Sequence, residues 1–255
     1  MKQFTLLAIL CTLGVQALPD RTPYIINGHP APHEPYNAYV LYINENNLGF
    51  FGGGSIISER HIVTAAQNIE GFVIWHIGLG SNVFAQLTMI TTTTATPHPQ
   101  FNPTNKANDV GIIALAESLV FTPTIAPIAL PALNEIQLPL MNEQGSIVGF
   151  GFTTAQSSSA SEFLMRSFQR VTNVERCTEL SLDITESSQF CGEDTIEASN
   201  ICNGDRGAGF VSILEDTPVL TGIASQINAS CSEGMPTGYT RILAYRQWIN
   251  DITQV

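Results

Sequence analysis

Short β-prone runs separated by turn residues recur through most of the chain. Valine, isoleucine, tyrosine, phenylalanine and threonine dominate these runs, and glycine, proline, asparagine and serine lie between them. Many short strands at such spacing are typical of an all-β sandwich or barrel. The clearest runs are Tyr36–Ile43, His61–Ala65, Phe72–Ile77, Val110–Leu115, Ser146–Phe150, Phe163–Val171, Phe210–Leu214 and Val219–Ala224.

Two further segments depart from this strand pattern. Phe121–Pro139 holds four prolines and no glycine. Because proline fixes φ and donates no backbone hydrogen bond, this segment is predicted to be an extended connector between two halves. Near the C-terminus, Ile242, Tyr245, Ile249 and Ile252 recur at helical spacing. An amphipathic helix is therefore predicted over Leu243–Ile252.

The first residues have the pattern of an export signal. Met1-Lys2 precedes an apolar run from Phe4 to Val15, and the small residues up to Ala17 suit a cleavage site. This run is too short to span a bilayer as a helix. Residues 1–17 are therefore predicted to be a secretory signal peptide, which makes the mature protein extracellular.

Charge and cysteine content limit the partners. The formal net charge is −12, and losing Lys2 with the signal peptide makes the mature chain more negative. Such a surface repels nucleic acid and anionic lipid, so neither is expected as a partner. Four cysteines remain after Ala17, which predicts two disulfides with three pairings open: Cys177, Cys191, Cys202 and Cys231. No cysteine or histidine spacing suggests a metal site, and no cofactor is expected.

A set of motifs follows in one order along the chain. They are Ile25–Gly28, Gly52–Ser58, Thr64–Ala66, His98-Pro99, Asn108–Leu115, Gly149–Gly151, Cys202–Gly209, Ser225 and Gly238–Arg241. In this order they resemble the trypsin/chymotrypsin family of secreted serine proteases, over about Ile25 to Ile249. Each motif alone is weak, and their common order carries the resemblance.

The resemblance implies an all-β fold of two six-stranded antiparallel β-barrels, with a cleft between them and a C-terminal α-helix. It makes residues 25–255 the protease-like domain and residues 18–24 a short propeptide-like segment. It also implies the disulfides Cys177–Cys191 and Cys202–Cys231. The family's usual bridge beside the catalytic histidine is missing, because Gly52 and Asn68 stand at its two positions.

The catalytic positions implied by the resemblance carry unusual residues. Asp109 matches the aspartate that orients the base, but Gln67 stands at the histidine position and Arg206 at the serine position. A carboxamide cannot act as a general base near neutral pH, and a guanidinium stays protonated and is not a nucleophile. Gly204 keeps the position of an oxyanion donor. Gln67 is expected to donate a hydrogen bond to Asp109.

Four further residues match the family's substrate pocket. Asn200 stands at its floor and Ser225 at its wall, while Ile227 and Thr237 replace glycines whose missing side chains leave such a pocket open. We expect the two larger side chains to narrow or fill the pocket, and a divergent but open pocket is the alternative.

Two modifications are predicted near these positions. Ile25 and Asp205 match the pair that forms when cleavage before the first isoleucine frees an amine, but Tyr24 precedes Ile25 where a basic residue is usual. Either a chymotrypsin-like enzyme cleaves after Tyr24 or the chain stays zymogen-like. Asn228, in Asn228-Ala229-Ser230, is an N-glycosylation acceptor whose occupancy stays open.

These features lead to the expectation that the chain is not an enzyme, but a catalytically degenerate serine protease homologue. Its expected partners are other secreted proteins, including active proteases or their substrates, for which it would serve as a cofactor or decoy. Two alternatives are an active serine-type endopeptidase with unusual catalytic residues and a secreted structural or storage protein.

Overall fold

The fold was analysed in a computed structural model, which describes residues 28–135, 137–154, 157–194, 199–228, 230–232 and 234–255. The predicted signal peptide (1–17) and propeptide-like segment (18–24) lie outside the described residues. The strands are β1 (His29–Pro30), β2 (Asn37–Ile43), β3 (Gly49–Ile56), β4 (His61–Thr64), β5 (Ile74–Leu79), β6 (Thr88–Thr92), β7 (Thr94–Pro97), β8 (Gly111–Ala114), β9 (Gln144–Gly149), β10 (Met165–Thr172), β11 (Gln189–Glu193), β12 (Gly209–Leu214), β13 (Thr217–Gln226) and β14 (Thr237–Arg241).

The first sheet has the strand order β6-β5-β2-β3-β4-β8-β7, with every pair antiparallel. Its edge strands β6 and β7 are consecutive in sequence and are separated by Thr93 alone. The chain itself therefore bends round from one edge of the sheet to the other.

The second sheet closes on itself. Strands follow the order β10-β11-β14-β13-β12-β9, and β9 pairs again with β10, so that six strands form a closed barrel with β1 added beside β10. The expected all-β architecture of the chymotrypsin type is confirmed, with a closed second barrel and a half-barrel first sheet.

Among the described residues, two α-helices accompany the sheets: α1 (Val174–Thr178) and α2 (Arg246–Thr253). The predicted C-terminal helix is present, although its first turn, Ile242–Tyr245, is a 3₁₀-helix. Ile242, Tyr245 and Ile249 are buried against the core, whereas Ile252 is 37% exposed. The apolar face is thus used for packing on the body, as its spacing predicts.

The predicted connector runs from β8 to β9, and its described residues contain no strand or helix longer than isolated bridges. It crosses both halves, because Ile128 donates a backbone hydrogen bond to Ile56 of β3 and Ala129 accepts one from Leu220 of β13. Within the described ranges, no helix is long and apolar enough to cross a membrane.

Both disulfides belong to the second half of the chain. Cys177 of α1 is joined to Cys191 of β11, and Cys202 is joined to Cys231. These are the pairings that the resemblance implied, which residue spacing alone left open. The first sheet carries no cysteine in its strands, so hydrogen bonds and packing hold it together.

Candidate active site

The three predicted catalytic positions lie where the two sheets meet. Gln67 is in a 3₁₀-helix (Ala66–Asn68) that follows β4, and Asp109 precedes β8, so the first sheet carries both. Arg206 lies in a turn before β12, and Ser225 lies on β13 of the second barrel. A side-chain hydrogen bond from Gln67 to the carbonyl of Ser225, at 3.0 Å, joins the two halves here.

Asp109 is fully buried and surrounded by hydrogen-bond donors. Its Oδ1 accepts from the Gln67 backbone N–H at 3.0 Å, and its Oδ2 accepts from Gln67 Nε2 and Ser225 Oγ, each at 2.5 Å. Burial raises the pKa of this carboxyl, and the hydrogen bonds from Ser225 and Gln67 oppose the rise. The carboxylate is therefore kept in place by three donors.

Gln67 donates two hydrogen bonds from its side-chain amide at this junction. The two hydrogen bonds from Nε2, to Asp109 and to Ser225, engage both of its N–H groups. A neutral carboxamide has no pKa in the range needed to take a proton from a nucleophile. Gln67 thus keeps Asp109 hydrogen-bonded but cannot supply general-base catalysis.

Two successive turns carry Arg206. The first is closed by Asp205 N–H donating to the Cys202 carbonyl and the second by Ala208 N–H donating to the Asp205 carbonyl, both at 3.0 Å. Gly204 has φ of 95°, a conformation that favours glycine. The Arg206 guanidinium is half-buried and donates from Nη1 to Asn203 Oδ1 at 3.1 Å.

Asp205 lies beneath these turns and is 1% exposed. Its Oδ1 accepts from Gly151 N–H at 2.8 Å, and its Oδ2 accepts from Cys202 N–H at 3.0 Å. Burial raises the pKa of Asp205 to about 6, against the opposing effects of these hydrogen bonds and of Arg206. A Cβ at position 151 would lie 2.2 Å from Oδ2, so only glycine fits beside this carboxylate. Its predicted partner Ile25 lies outside the described residues.

The predicted pocket residues are all buried: Asn200, Ser225, Ile227 and Thr237. Asn200 donates from Nδ2 to the Ser232 carbonyl at 2.9 Å, while its Oδ1 has no hydrogen-bond partner. Burial of Ile227 and Thr237 agrees with side chains that fill a former pocket, and that filling stays a proposal. Asn228, the predicted glycosylation acceptor, is half-buried and accepts from Ser230 N–H and Oγ at 2.9 and 2.7 Å.

Two residues of the site were missed by sequence reasoning. Asn68, noted only as the position of a lost disulfide, is buried and donates from Nδ2 to the Arg206 carbonyl at 2.8 Å and to Thr64 Oγ1 at 3.0 Å. Phe51 covers Gly204, where an added Cβ would lie 2.3 Å from its ring. In the part of the chain that the structure describes, no group of three or more metal-binding side chains occurs.

Comparison with known proteins identifies relatives over nearly the whole chain. The family model for trypsin matches residues 25–249. A collagenase from Hypoderma lineatum is 31% identical over 236 residues, which cover 91% of this chain and 88% of that protein. A chymotrypsin from Phaedon cochleariae is 27% identical and covers 90% and 82%. The solved structure of HL collagenase superimposes with a TM-score of 0.78 at 29% identity, covering 91% of this chain and 99% of that one.

The expectation that the chain is not an enzyme is wrong by these comparisons, because its relatives are named as enzymes. Gln67 and Arg206 mean that no histidine and no serine stand at these two positions, which is a smaller claim than absence of activity. The family model and the collagenase relative together establish that this chain belongs to the trypsin family.

Proposed function

We propose that this protein acts on polypeptide chains held at the junction of its two sheets, with peptide-bond hydrolysis as the activity that its relatives' names indicate. The observation that carries the proposal is the intact hydrogen-bonded junction of Gln67, Asp109 and Ser225 in a trypsin-family fold. A buried carboxylate with three donors is costly to assemble, and it lies at the predicted catalytic position.

Hydrolysis at this junction must use groups other than a serine–histidine pair. Gln67 Nε2 is committed to two acceptors, and the guanidinium of Arg206 carries a permanent positive charge. The names of the relatives favour an active endopeptidase. We therefore propose an active serine-type endopeptidase with unusual catalytic residues.

The test is incubation of the purified protein with a library of peptides, with new termini identified by mass spectrometry. Wild-type protein should produce termini that the Asp109→Asn variant does not, whereas Asp216→Asn, at an exposed hairpin turn, should match wild type. Cleavage that a fluorophosphonate abolishes in wild type and in Asp109→Asn alike belongs to a contaminating serine hydrolase. A wild-type pattern no different from Asp109→Asn would overturn the proposed hydrolysis.

A second experiment checks the placement of the two unusual residues. The double variant Gln67→His with Arg206→Ser should gain fluorophosphonate labelling, because a serine would then lie beside a histidine oriented by Asp109. Each single variant serves as a matched control and should remain unlabelled. Labelling of wild type itself would mean that another residue is the nucleophile.

A second candidate function is the binding of other extracellular proteins, including active proteases or their substrates. The free guanidinium donors of Arg206 at the sheet junction favour it, because they offer a recognition group that the chemistry of hydrolysis does not use. Titration of the protein into assays of active trypsin-type proteases tests this candidate. A change in their rates that saturates with concentration supports it, and unchanged rates contradict it.

A further inference from the structure

The guanidinium of Arg206 has most of its hydrogen-bonding capacity unused. Guanidinium carries five N–H donors, and the one side-chain hydrogen bond within the described residues is from Nη1 to Asn203 Oδ1. In the part of the chain covered by the structure, no carboxylate forms a salt bridge with it, unlike Arg166 with Glu34 or Arg176 with Glu193. A half-buried cation therefore presents free donors at the junction.

Backbone donors lie in the same turns. Asp205 N–H and Ala208 N–H close the two turns, but among the described residues no acceptor is bonded to the N–H of Gly204 or of Arg206. N–H groups left free around a residue of positive φ, as at Gly204, form concavities that bind anions. The turns thus add two neutral donors to the charged ones of the side chain.

Aromatic rings border these turns. The Phe51 ring lies against Gly204, and the rings of Phe51 and Phe152 are 5.6 Å apart. Apolar walls lower the local dielectric constant, so a hydrogen bond between a guanidinium and an anion is stronger here than at an open surface.

The nearby acids do not occupy this site. Asp205 accepts hydrogen bonds from Gly151 N–H and Cys202 N–H. Asp109 accepts hydrogen bonds from Gln67 and Ser225. Tyr42, the other titratable group affected by Arg206, donates to the Phe51 carbonyl at 3.3 Å. These groups therefore leave the guanidinium donors available to a ligand.

We propose that Arg206 and the turn of residues 203–206 form a carboxylate-binding site, which takes either the free C-terminus of a polypeptide or an Asp or Glu side chain. The planar guanidinium matches a carboxylate in a bidentate geometry, and the free N–H groups of the turn receive its remaining lone pairs. The inference rests on the proposed function in one respect, namely that the ligand belongs to a polypeptide.

The charge on Asp205 affects how tightly this site binds a carboxylate. Burial raises the pKa of Asp205 to about 6, so this acid is ionised at neutral pH and partly offsets the Arg206 charge. Below about pH 6 the offset is removed while a ligand carboxylate, with a pKa of about 4, stays ionised. Carboxylate binding should therefore be tighter at pH 5 than at pH 7.5.

The experiment measures binding of matched fluorescent peptides by anisotropy. One pair has the same sequence with a free C-terminal carboxylate or an amide, and a second amidated pair differs by one Glu or Gln. Wild-type protein should bind at least one acid member about 10-fold or more tightly than its neutral partner. The pair that discriminates identifies the source of the carboxylate.

Variants at Arg206 complete the test. Arg206→Gln should abolish the preference, Arg206→Lys should retain part of it, and Arg60→Gln, at an exposed arginine bonded to Ser118, should leave it unchanged. An unchanged melting temperature in Arg206→Gln separates loss of the site from loss of the fold. Equal binding of acid and neutral peptides by wild type overturns the carboxylate site and leaves polypeptide recognition standing, whereas binding of neither peptide overturns both.

Discussion

Asn68 donates its side-chain amide to the carbonyl of Arg206 at 2.8 Å, across the junction of the two sheets. The same carbonyl accepts from the backbone N–H of Gly53, also at 2.8 Å. The turn that holds Arg206 is therefore fixed to the first sheet by two hydrogen bonds, at the position where the related proteases are expected to have a disulfide.

Replacing Asn68 by alanine should loosen this turn and lower the stability of the whole protein. The change removes the hydrogen bonds to Arg206 and Thr64 from a fully buried site. We expect a loss of about 2–3 kcal/mol in the free energy of unfolding, measured by urea denaturation. Asn46→Ala, in an exposed loop, should stay within about 0.5 kcal/mol of wild type. A similar loss in both variants would contradict a specific role for Asn68.

Replacing Asp109 by asparagine should also be destabilising. Each carboxylate oxygen accepts hydrogen bonds, and an asparagine Nδ2 would instead point a donor at Gln67 or Ser225. We expect a loss of about 2–4 kcal/mol by chemical denaturation, since a buried donor is left unsatisfied. Asp216→Asn is a matched control, because Asp216 is exposed and asparagine tolerates its φ of 62°. Equal stability of the Asp109→Asn variant and wild type would mean that water or a rearranged Gln67 satisfies the site.

Stability should depend on pH through Asp205. Its pKa is raised from 3.8 to about 6 in the folded state, so between these values the folded protein holds a proton that the unfolded chain has released. The stabilisation from this group is complete below about pH 4 and is lost as pH rises through about 6, a decrease of about 3 kcal/mol.

Urea denaturation between pH 4 and 7 measures this decrease. The Asp205→Asn variant should lose the part of the slope that belongs to position 205, whatever its own stability. If cleavage before Ile25 brings the new amine to Asp205, the pKa should fall and the slope should disappear. A slope unchanged in Asp205→Asn would assign the titration to another group, such as the buried Asp109.

Removing each disulfide should affect the second half of the chain to different degrees. Cys202–Cys231 closes a segment of 29 residues and Cys177–Cys191 one of 14. Closing a longer loop removes more conformational freedom from the unfolded chain. Replacing both cysteines of a pair by serine should therefore lower the free energy of unfolding by roughly 3–4 kcal/mol for Cys202–Cys231 and by about 3 kcal/mol for Cys177–Cys191. Thermal unfolding of the two double variants, each compared with wild type, shows which variant loses more stability. A larger loss for Cys177–Cys191 would point to packing around α1 instead of chain restriction.

Local patterns in the sequence were enough to predict most strands. The run predicted as Tyr36–Ile43 becomes β2 (Asn37–Ile43), because its β-branched and aromatic residues suit a buried sheet face. In contrast, Gly49–Ile56 contains four glycines and has little strand propensity of its own, so only the family resemblance indicated β3. The burial of β3 between β2 and β4 overrides its composition.

Long-range contacts at the site could not be predicted from the sequence. Gln67 and Ser225 are 158 positions apart, and their hydrogen bond depends on how two sheets meet. The donation from Gln67 to Asp109, by contrast, was expected from their family positions and their complementary chemistry. The expectation that the chain is not an enzyme was wrong for a related reason. It rested on the side chains at positions 67 and 206 alone, whereas the relatives that are named as enzymes match nearly the whole chain.

The single residue between β6 and β7 has a consequence for self-association. Exposed sheet edges invite pairing with other chains, and here Thr93 joins the two edge strands of the first sheet directly. Within the described strands, β6 pairs with β5 and β7 with β8, so each edge strand has one side without a strand partner. The short length of these two strands, five and four residues, limits the edge that each offers to another chain.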